Sequence, residues 1–296
     1  MSITDEHRLW LSLGICKMKF HLRVMTPDDI HAGMRLKEIA GWNQTRGDWE
    51  RFLRASPHGC FVAEIDAEVV GTVATISYEG RFAWIGMVLV DPARRGQGFG
   101  TKLLERAIEY LDGCGLPSMK LDATPQGKPL YEKLGFVCEY EIERWQWQRA
   151  PAPHVTVGAG LLTEEILDQD REIFGADRGS LLRSIALENP AFVLHTRREG
   201  KLTGYSFGRQ GALADHLGPW VALDESSARN LLDEFLLRSC GGKVFVDGLR
   251  NSSWALKLLR ERGFQFARSL TRMYRGRNDF PGRPDLQGAI LGPEFG

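Results

Sequence analysis

The sequence predicts an α/β protein, a mixed α+β sheet flanked by helices, laid out twice in tandem along 296 residues. Three observations carry that prediction. Residues 61–90 hold three apolar runs joined by links too short for a crossover, so they pair as an antiparallel meander. The third run ends in a glycine-rich turn and an amphipathic stretch, which implies a crossover helix and a parallel strand after it. A later stretch then repeats the same landmarks in the same order.

The elements follow in chain order. His21–Val24 reads as a short strand. Thr26-Pro27-Asp28-Asp29 reads as a helix start with proline in the first turn, and that helix runs through Met34, Leu36 and Ile39 to Gly41. Thr45 to Ala55 is a second helix, with Trp49, Phe52 and Leu53 at helical spacing. Phe61–Ile65, Val69–Ile76 and Ala83–Val90 are the meander strands. Leu103, Leu104, Ala107, Ile108 and Leu111 then make one buried stripe on the crossover helix. Ser118–Asp122 is the parallel strand. Lys128 to Leu134 is helical and stops at Gly135, and Phe136 to Gln148 is extended. Ala150-Pro151-Ala152-Pro153 breaks regular structure as a linker.

The second half echoes the first. Phe192 stands 131 positions after Phe61, Asp224 stands 133 after Asp91, and Phe264 stands 128 after Phe136, each within a matching short motif. Three matches at nearly one spacing indicate duplication. The domains expected are an extension at 1–17, a first copy at 18–148, a linker at 149–160 and a degenerate second copy at 161–296.

Composition excludes several classes. Lys+Arg and Asp+Glu number 38 each, so no bulk charge points to nucleic acid or an anionic membrane. Five scattered cysteines without a CxxC pair indicate neither a disulfide framework nor a zinc site. The apolar run Leu9–Cys16 is short and follows Asp5 and Glu6, unlike a signal peptide, and no run is long enough to span a membrane. A cytoplasmic protein, monomer or homodimer, is the expectation.

The turn itself is Arg94-Arg95-Gly96-Gln97-Gly98-Phe99-Gly100-Thr101. Unpaired N–H groups at a helix start favour an anion, glycines let a phosphate approach, and arginines pair with its oxygens. A P-loop is excluded because Thr101 precedes Lys102 and the spacing is wrong. A dinucleotide fingerprint fits poorly. The glycines are GxGxG, five residues separate them from the strand, and the meander is foreign to a doubly wound fold. The bland alternative is a merely structural turn.

Arg95-Gly96-Gln97-Gly98-Phe99-Gly100 resembles the R/Q-x-x-G-x-G/A motif of the GCN5-related N-acetyltransferase (GNAT) superfamily, in the same strand–turn–helix context. Leu130-Tyr131-Glu132-Lys133-Leu134-Gly135-Phe136 resembles the family's later helix-and-strand motif. The duplication, with a second copy that has Glu225 to Asn230 in place of the glycine turn, is similar to a bacterial tandem-domain subgroup.

The resemblance implies roles. Arg94 to Thr101 would hold the pyrophosphate of acetyl-CoA, with no metal. Met87, Val88, Leu89 and Val90 would form a bulged strand splayed from its neighbour, with backbone groups on the pantetheine arm and one N–H polarising the acetyl carbonyl; otherwise they are plain buried strand. Tyr131 would be the general acid for the leaving thiolate, or else a packed aromatic. Thr124 stands where the family often has a CoA-contacting asparagine. Asp122 is the general-base candidate, expected at the strand end facing the cleft, with Glu64, Glu79, Asp48 and His31 as alternatives. Trp42, Asn43 and Gln44, with Trp49, would line the acceptor side. Asp247, Asn251, Arg272 and Tyr274 of the second copy would reach substrate if that copy closes over the first.

Two functions follow. One is an acetyl-CoA-dependent N-acetyltransferase acting by direct attack of a primary amine of a small or amino-acid-like molecule. The other is a non-catalytic acetyl-CoA or CoA sensor, which retention of Tyr131 disfavours.

Overall fold

The computed structural model describes residues 19–149 and 160–296. The anticipated extension at 1–17 and all but the ends of the anticipated linker lie outside the described residues. The first copy runs β1 (Phe20–Val24), α1 (Ile30–Ile39), α2 (Arg46–Ala55), β2 (Phe61–Ile65), β3 (Glu68–Tyr78), β4 (Phe82–Val90), α3 (Phe99–Gly113), β5 (Ser118–Ala123), α4 (Lys128–Lys133) and β6 (Val137–Gln148). The second runs α5 (Glu164–Phe174), α6 (Gly179–Glu188), β7 (Leu194–Arg198), β8 (Lys201–Gln210), β9 (Asp215–Ala222), α7 (Glu225–Arg238), β10 (Lys243–Leu249), α8 (Ser253–Glu261), β11 (Gln265–Gly276) and β12 (Gln287–Ala289).

Local chemistry sets the boundaries. Asp48 accepts hydrogen bonds from the Thr45 N–H (2.8 Å) and hydroxyl (3.2 Å) and starts α2. Glu79 and Gly80 take positive φ in the three-residue link that joins β3 to β4, closed by the Arg81 N–H donating to the Tyr78 carbonyl at 3.0 Å. Gly135, at φ +84°, ends α4, as its position after the apolar stripe predicts. The crossover through α3 makes β5 parallel to β4, with Ala83 opposite Met119 and Trp84 opposite Lys120.

The two expected sheets are one. Twelve strands run β1-β2-β3-β4-β5-β11-β6-β10-β12-β9-β8-β7. The late long strand of each half has crossed into the other. β11 lies antiparallel on β5 from Thr271–Ala123 to Gly276–Ser118, and β6 lies antiparallel on β10 from Lys243–Gln148 to Leu249–Ile142. β6 and β11 also pair with each other and close the seam. The cores record the exchange. Met273 of β11 packs with Leu121 and Phe136 beneath α3, and Trp145 of β6 packs with Phe235 and Leu258 beneath α7 and α8.

On the other face α1, α2, α5 and α6 share one core, with Trp49, Phe52, Trp84, Phe174, Tyr205 and Phe207 all buried. The segment after β12 threads into it. Tyr78 donates its hydroxyl to the Phe295 carbonyl at 2.8 Å, Trp84 donates to the Pro293 carbonyl at 3.0 Å, and Phe295 stacks on Phe52 with centroids 4.8 Å apart. Full burial of a ring such as Phe295 contributes about 1.5–3 kcal/mol. Among the described residues no helix is long and apolar enough to cross a membrane.

Candidate active site

The β3–β4 ladder slips once. Thr72 pairs with Leu89 but Ala74 pairs with Gly86, so Met87 and Val88 together face one residue of β3. Met87 takes φ +54°, uncommon for a residue with a long side chain, and the Thr72 hydroxyl donates to its carbonyl at 2.8 Å. The Met87 side chain stays in the core, so the bulge changes the backbone without exposing apolar surface. Beyond Trp84, β4 has no register with β5. Met87 to Val90 therefore edge a wedge between two parallel strands.

The turn follows at the wedge. Asp91 accepts from the Ala93 N–H at 2.9 Å and from Arg35 at 3.0 Å, which fixes the exit of β4. Gly96 and Gly98 take φ +76° and +82°, and a Cβ on either would meet nothing within 4 Å. Both face open space. Their requirement is conformational, since an L side chain in this region costs about 1–2 kcal/mol. Gly100 has an ordinary φ, and a Cβ there would touch Val90 at 3.6 Å and Leu130 at 3.8 Å, ordinary contacts. The N–H groups from Gly96 through Thr101 have no acceptor among the described residues, and Lys102 is the first to bond back, to the Gly98 carbonyl. Arg95 donates Nε to the Val90 carbonyl at 3.2 Å with its head in solvent. Phe99 is buried on Phe20 and anchors α3.

Tyr131 stands on α4 beside this region. Its ring packs edge-on to Phe136 at 6.1 Å and against Gly127, where any Cβ would come within 3.0 Å of it. The hydroxyl has no hydrogen-bond partner among the described residues, and burial pushes its pKa up to about 12. It stays protonated at neutral pH. The Thr124 hydroxyl accepts from the Gly127 N–H at 3.2 Å, so its oxygen serves the local turn.

Several other expectations meet a different arrangement. The Asp122 side chain is fully buried and bound by Arg272 through two bonds of 2.9 Å, because β11 and not β6 lies beside β5. It does not face a cleft. Asn43 accepts from the Leu213 and Ala214 N–H groups at 2.9 and 3.0 Å and donates to the Ala214 carbonyl, so it staples the β8–β9 turn. Gln44 is buried and donates to Glu294 at 2.7 Å. Trp42 is partly buried against the shared core, and Trp49 is wholly inside it. Asp247 is wholly buried on Arg144 at 2.8 and 2.7 Å; burial pushes its pKa up, and Arg144 outweighs that, holding it near 2. Of the remaining base candidates, Glu64 pairs with Arg23, Glu79 with Arg171, and Asp48 with Arg51 as well as capping α2. His31 is exposed and bonded to the Asp28 carbonyl. The turn, the β4 bulge and Tyr131 form one region; the acids lie elsewhere.

The second copy repeats the geometry and closes it. β8 and β9 also slip, between Ser206 and Gly208, and β9 has a short parallel register with β10. But β12 fills that wedge, with Ala289 opposite both Gly248 and Trp220. At the start of α7 the Asp224 carboxylate accepts from the Ser227 N–H at 2.8 Å, so an anion of the chain itself occupies the helix end.

Sequence reasoning missed Glu294. Its backbone packs on Gly86, where a Cβ would come within 2.7 Å of the Glu294 carbonyl oxygen, one residue before the bulge. Nothing in the Gly292-Pro293-Glu294 pattern signals a return across the sheet.

Residues 31–136 match the family model described as "Acetyltransferase (GNAT) family", and residues 166–287 match that described as "Acetyltransferase (GNAT) domain". A holothin acyltransferase of Pseudoalteromonas sp. is 28% identical over 265 residues, covering 86% of this chain and 87% of that one. An acetyltransferase of Pectobacterium atrosepticum is 32% identical over 127 residues, covering 40% of this chain and 86% of the other. A crystal structure from Pyrococcus horikoshii, described as an acetyltransferase, superposes with a TM-score of 0.78 at 25% identity, covering 94% of this chain and 96% of that one.

Proposed function

This chain belongs to the GCN5-related N-acetyltransferase superfamily as a tandem-domain acetyltransferase, and from that premise we propose that its first copy binds acetyl-CoA and passes the acetyl group to a primary amine of a small or amino-acid-like molecule. The observation that carries this reading is the contrast between two equivalent wedges. Among the described residues no strand enters the one beside β4, which opens toward N–H groups without an acceptor there, whereas the one beside β9 holds β12. We take residues 18–148 as the cofactor-binding domain and 161–296 as the degenerate one.

Acetyl-CoA brings the acyl group as an activated thioester. The turn from Arg94 to Thr101 takes its pyrophosphate on backbone N–H groups and arginine charge. Backbone groups of Met87 to Val90 pair with the pantetheine arm, and one N–H beside the bulge holds the carbonyl oxygen as it becomes negative. Loss of such a donor costs roughly 2.7–4 kcal/mol of transition-state stabilisation. The amine attacks the carbonyl carbon directly, the C–S bond breaks, and Tyr131 gives its proton to the departing thiolate. Asp122, bound by Arg272, is left out of proton transfer, and the amine releases its proton through water.

Calorimetric titration with acetyl-CoA, followed by thiol release across a panel of amines, tests this. Binding and amine-dependent release are expected. Binding without release for any amine would favour a sensor, and absence of binding would end both readings.

A further inference from the structure

The core between the halves contains buried arginines that each have a carboxylate of their own. Arg272 has Asp122, Arg144 has Asp247, Arg209 has Glu294 and Arg178 has Asp170. Arg268 on β11, which is only partly buried, does not. Its Nε is sealed from solvent without a hydrogen-bond partner, and no ion pair reaches it among the described residues. Burial, and then the charge of Arg144, pull its pKa down to about 10.

The backbone puts it there by a specific device. The β11–β6 register slips between Phe266 and Arg268, which brings Arg268 directly opposite Arg144. Like charges directly opposite across strands are destabilising. The nearby acids do not relieve this. Asp247 gives both oxygens to Arg144, and Glu294 gives one to Arg209 and the other to Gln44. Arg209, itself buried, keeps Nη1 without a partner in the same charge cluster. Asp48, the other carboxylate whose charge reaches Arg209, is paired with Arg51, so Asp247 and Glu294 stand against Arg144, Arg209 and Arg268 and the cluster is one negative charge short.

That deficit lies on the acceptor side of the proposed acetyl site. Arg268 and Arg272 are four residues apart on β11 and so share a face, about 13 Å apart along the strand. Arg272 stacks on Trp84 of β4 at 4.5 Å, and Glu294, whose charge reaches Arg268, packs on Gly86 beside the bulge. Resting on the acetyltransferase reading, we propose that the acceptor is an amine that also carries one carboxylate, and that Arg268 binds that carboxylate. A single surplus charge matches a monoanion. A phosphate dianion would overfill it and meet Asp247 and Glu294.

The test compares matched acceptors on the full chain: amino acids and dipeptides against their primary amides, by CoA thiol release. The acids are expected to exceed the amides about 10- to 100-fold in kcat/KM, the range of a charge-assisted pair. Arg268→Gln should bring that ratio toward one, and Arg268→Lys, which keeps the charge but not the fork, should leave part of it. Amides preferred by the unmodified protein, or a ratio unchanged in Arg268→Gln, would overturn the proposal. A readout independent of turnover is calorimetric binding of N-acetyl amino acids, expected to weaken about tenfold or more in Arg268→Gln. Equal binding to both proteins would also sink it. If these carboxylates bind through Arg268 while no amine releases thiol, the acetyltransferase reading fails and the carboxylate site stands.

Discussion

Asp122 and Arg272 stand 150 positions apart in the chain and opposite each other in the sheet, joined by two bonds of 2.9 Å. Burial opposes the guanidinium charge, and the Asp122 carboxylate more than restores it, so Arg272 stays charged. Arg272 also donates to the Tyr140 hydroxyl at 2.6 Å. One strand of the second copy thus completes the floor of the first. Asp122→Asn would leave a buried charge unmatched and should lower unfolding free energy by about 3 kcal/mol. Asp122→Leu with Arg272→Met should recover most of it in urea titrations. If Asp122→Asn instead leaves stability intact and stops turnover, Asp122 is the base after all.

Tyr131→Phe removes only a hydroxyl that no described residue uses. Turnover should fall by about 10²–10⁴-fold, the usual contribution of a general acid, with acetyl-CoA affinity little changed. Rapid-mixing thiol assays beside equilibrium titration separate the two. A parallel loss of binding would make Tyr131 a packing residue.

One acetyl-CoA per chain is expected by calorimetry. The second wedge holds β12 and its helix end carries Asp224, so Asp224→Gly should not create a second site. A stoichiometry of two in that variant would show that β12 yields to the ligand.

The glycines of the turn differ in what they tolerate. Gly98→Ala places a Cβ at φ +82° and should cost about 1–2 kcal/mol. Gly100→Ala meets neighbours only at 3.6 and 3.8 Å and should leave the melting temperature nearly unchanged. Equal destabilisation by both would mean that contact, not backbone conformation, limits the turn.

His216 is wholly buried. Desolvation pulls its pKa down to about 3, with Asp247 opposing and Arg209 and Arg144 adding to the shift. A folded pKa below the unfolded value means that the unfolded chain binds the extra proton. Stability is therefore present above about pH 6.5 and is lost as pH falls toward 3. By linkage the loss at pH 5 is about 2 kcal/mol relative to pH 7 or above. Urea titrations at both pH values should show that slope reduced in His216→Gln. An unchanged slope would assign the acid sensitivity to other groups.

The local parts were legible because each is written in local chemistry. The meander follows from three apolar runs and their short links, α3 from its stripe of Leu103, Leu104, Ala107 and Leu111, and the turn from glycines at 96 and 98. The degenerate second copy was visible as glycines replaced by Glu225 to Asn230. The acceptor-side residues were less legible. Asn43, Gln44, Asp122 and Asp247 are polar residues near the right elements, but partners far along the chain occupy all four.

The sequence by itself indicated the elements of the first copy, their order, the duplication and the place of the glycine turn between β4 and α3. Tertiary structure alone decided which strands are neighbours. The apolar residues of β6 and β11 can be buried in either half of the sheet, so their pattern is silent about exchange. Only the assembled sheet set Arg272 on Asp122, Arg268 opposite Arg144 and β12 in the second wedge, because those pairings depend on register between residues far apart in the chain.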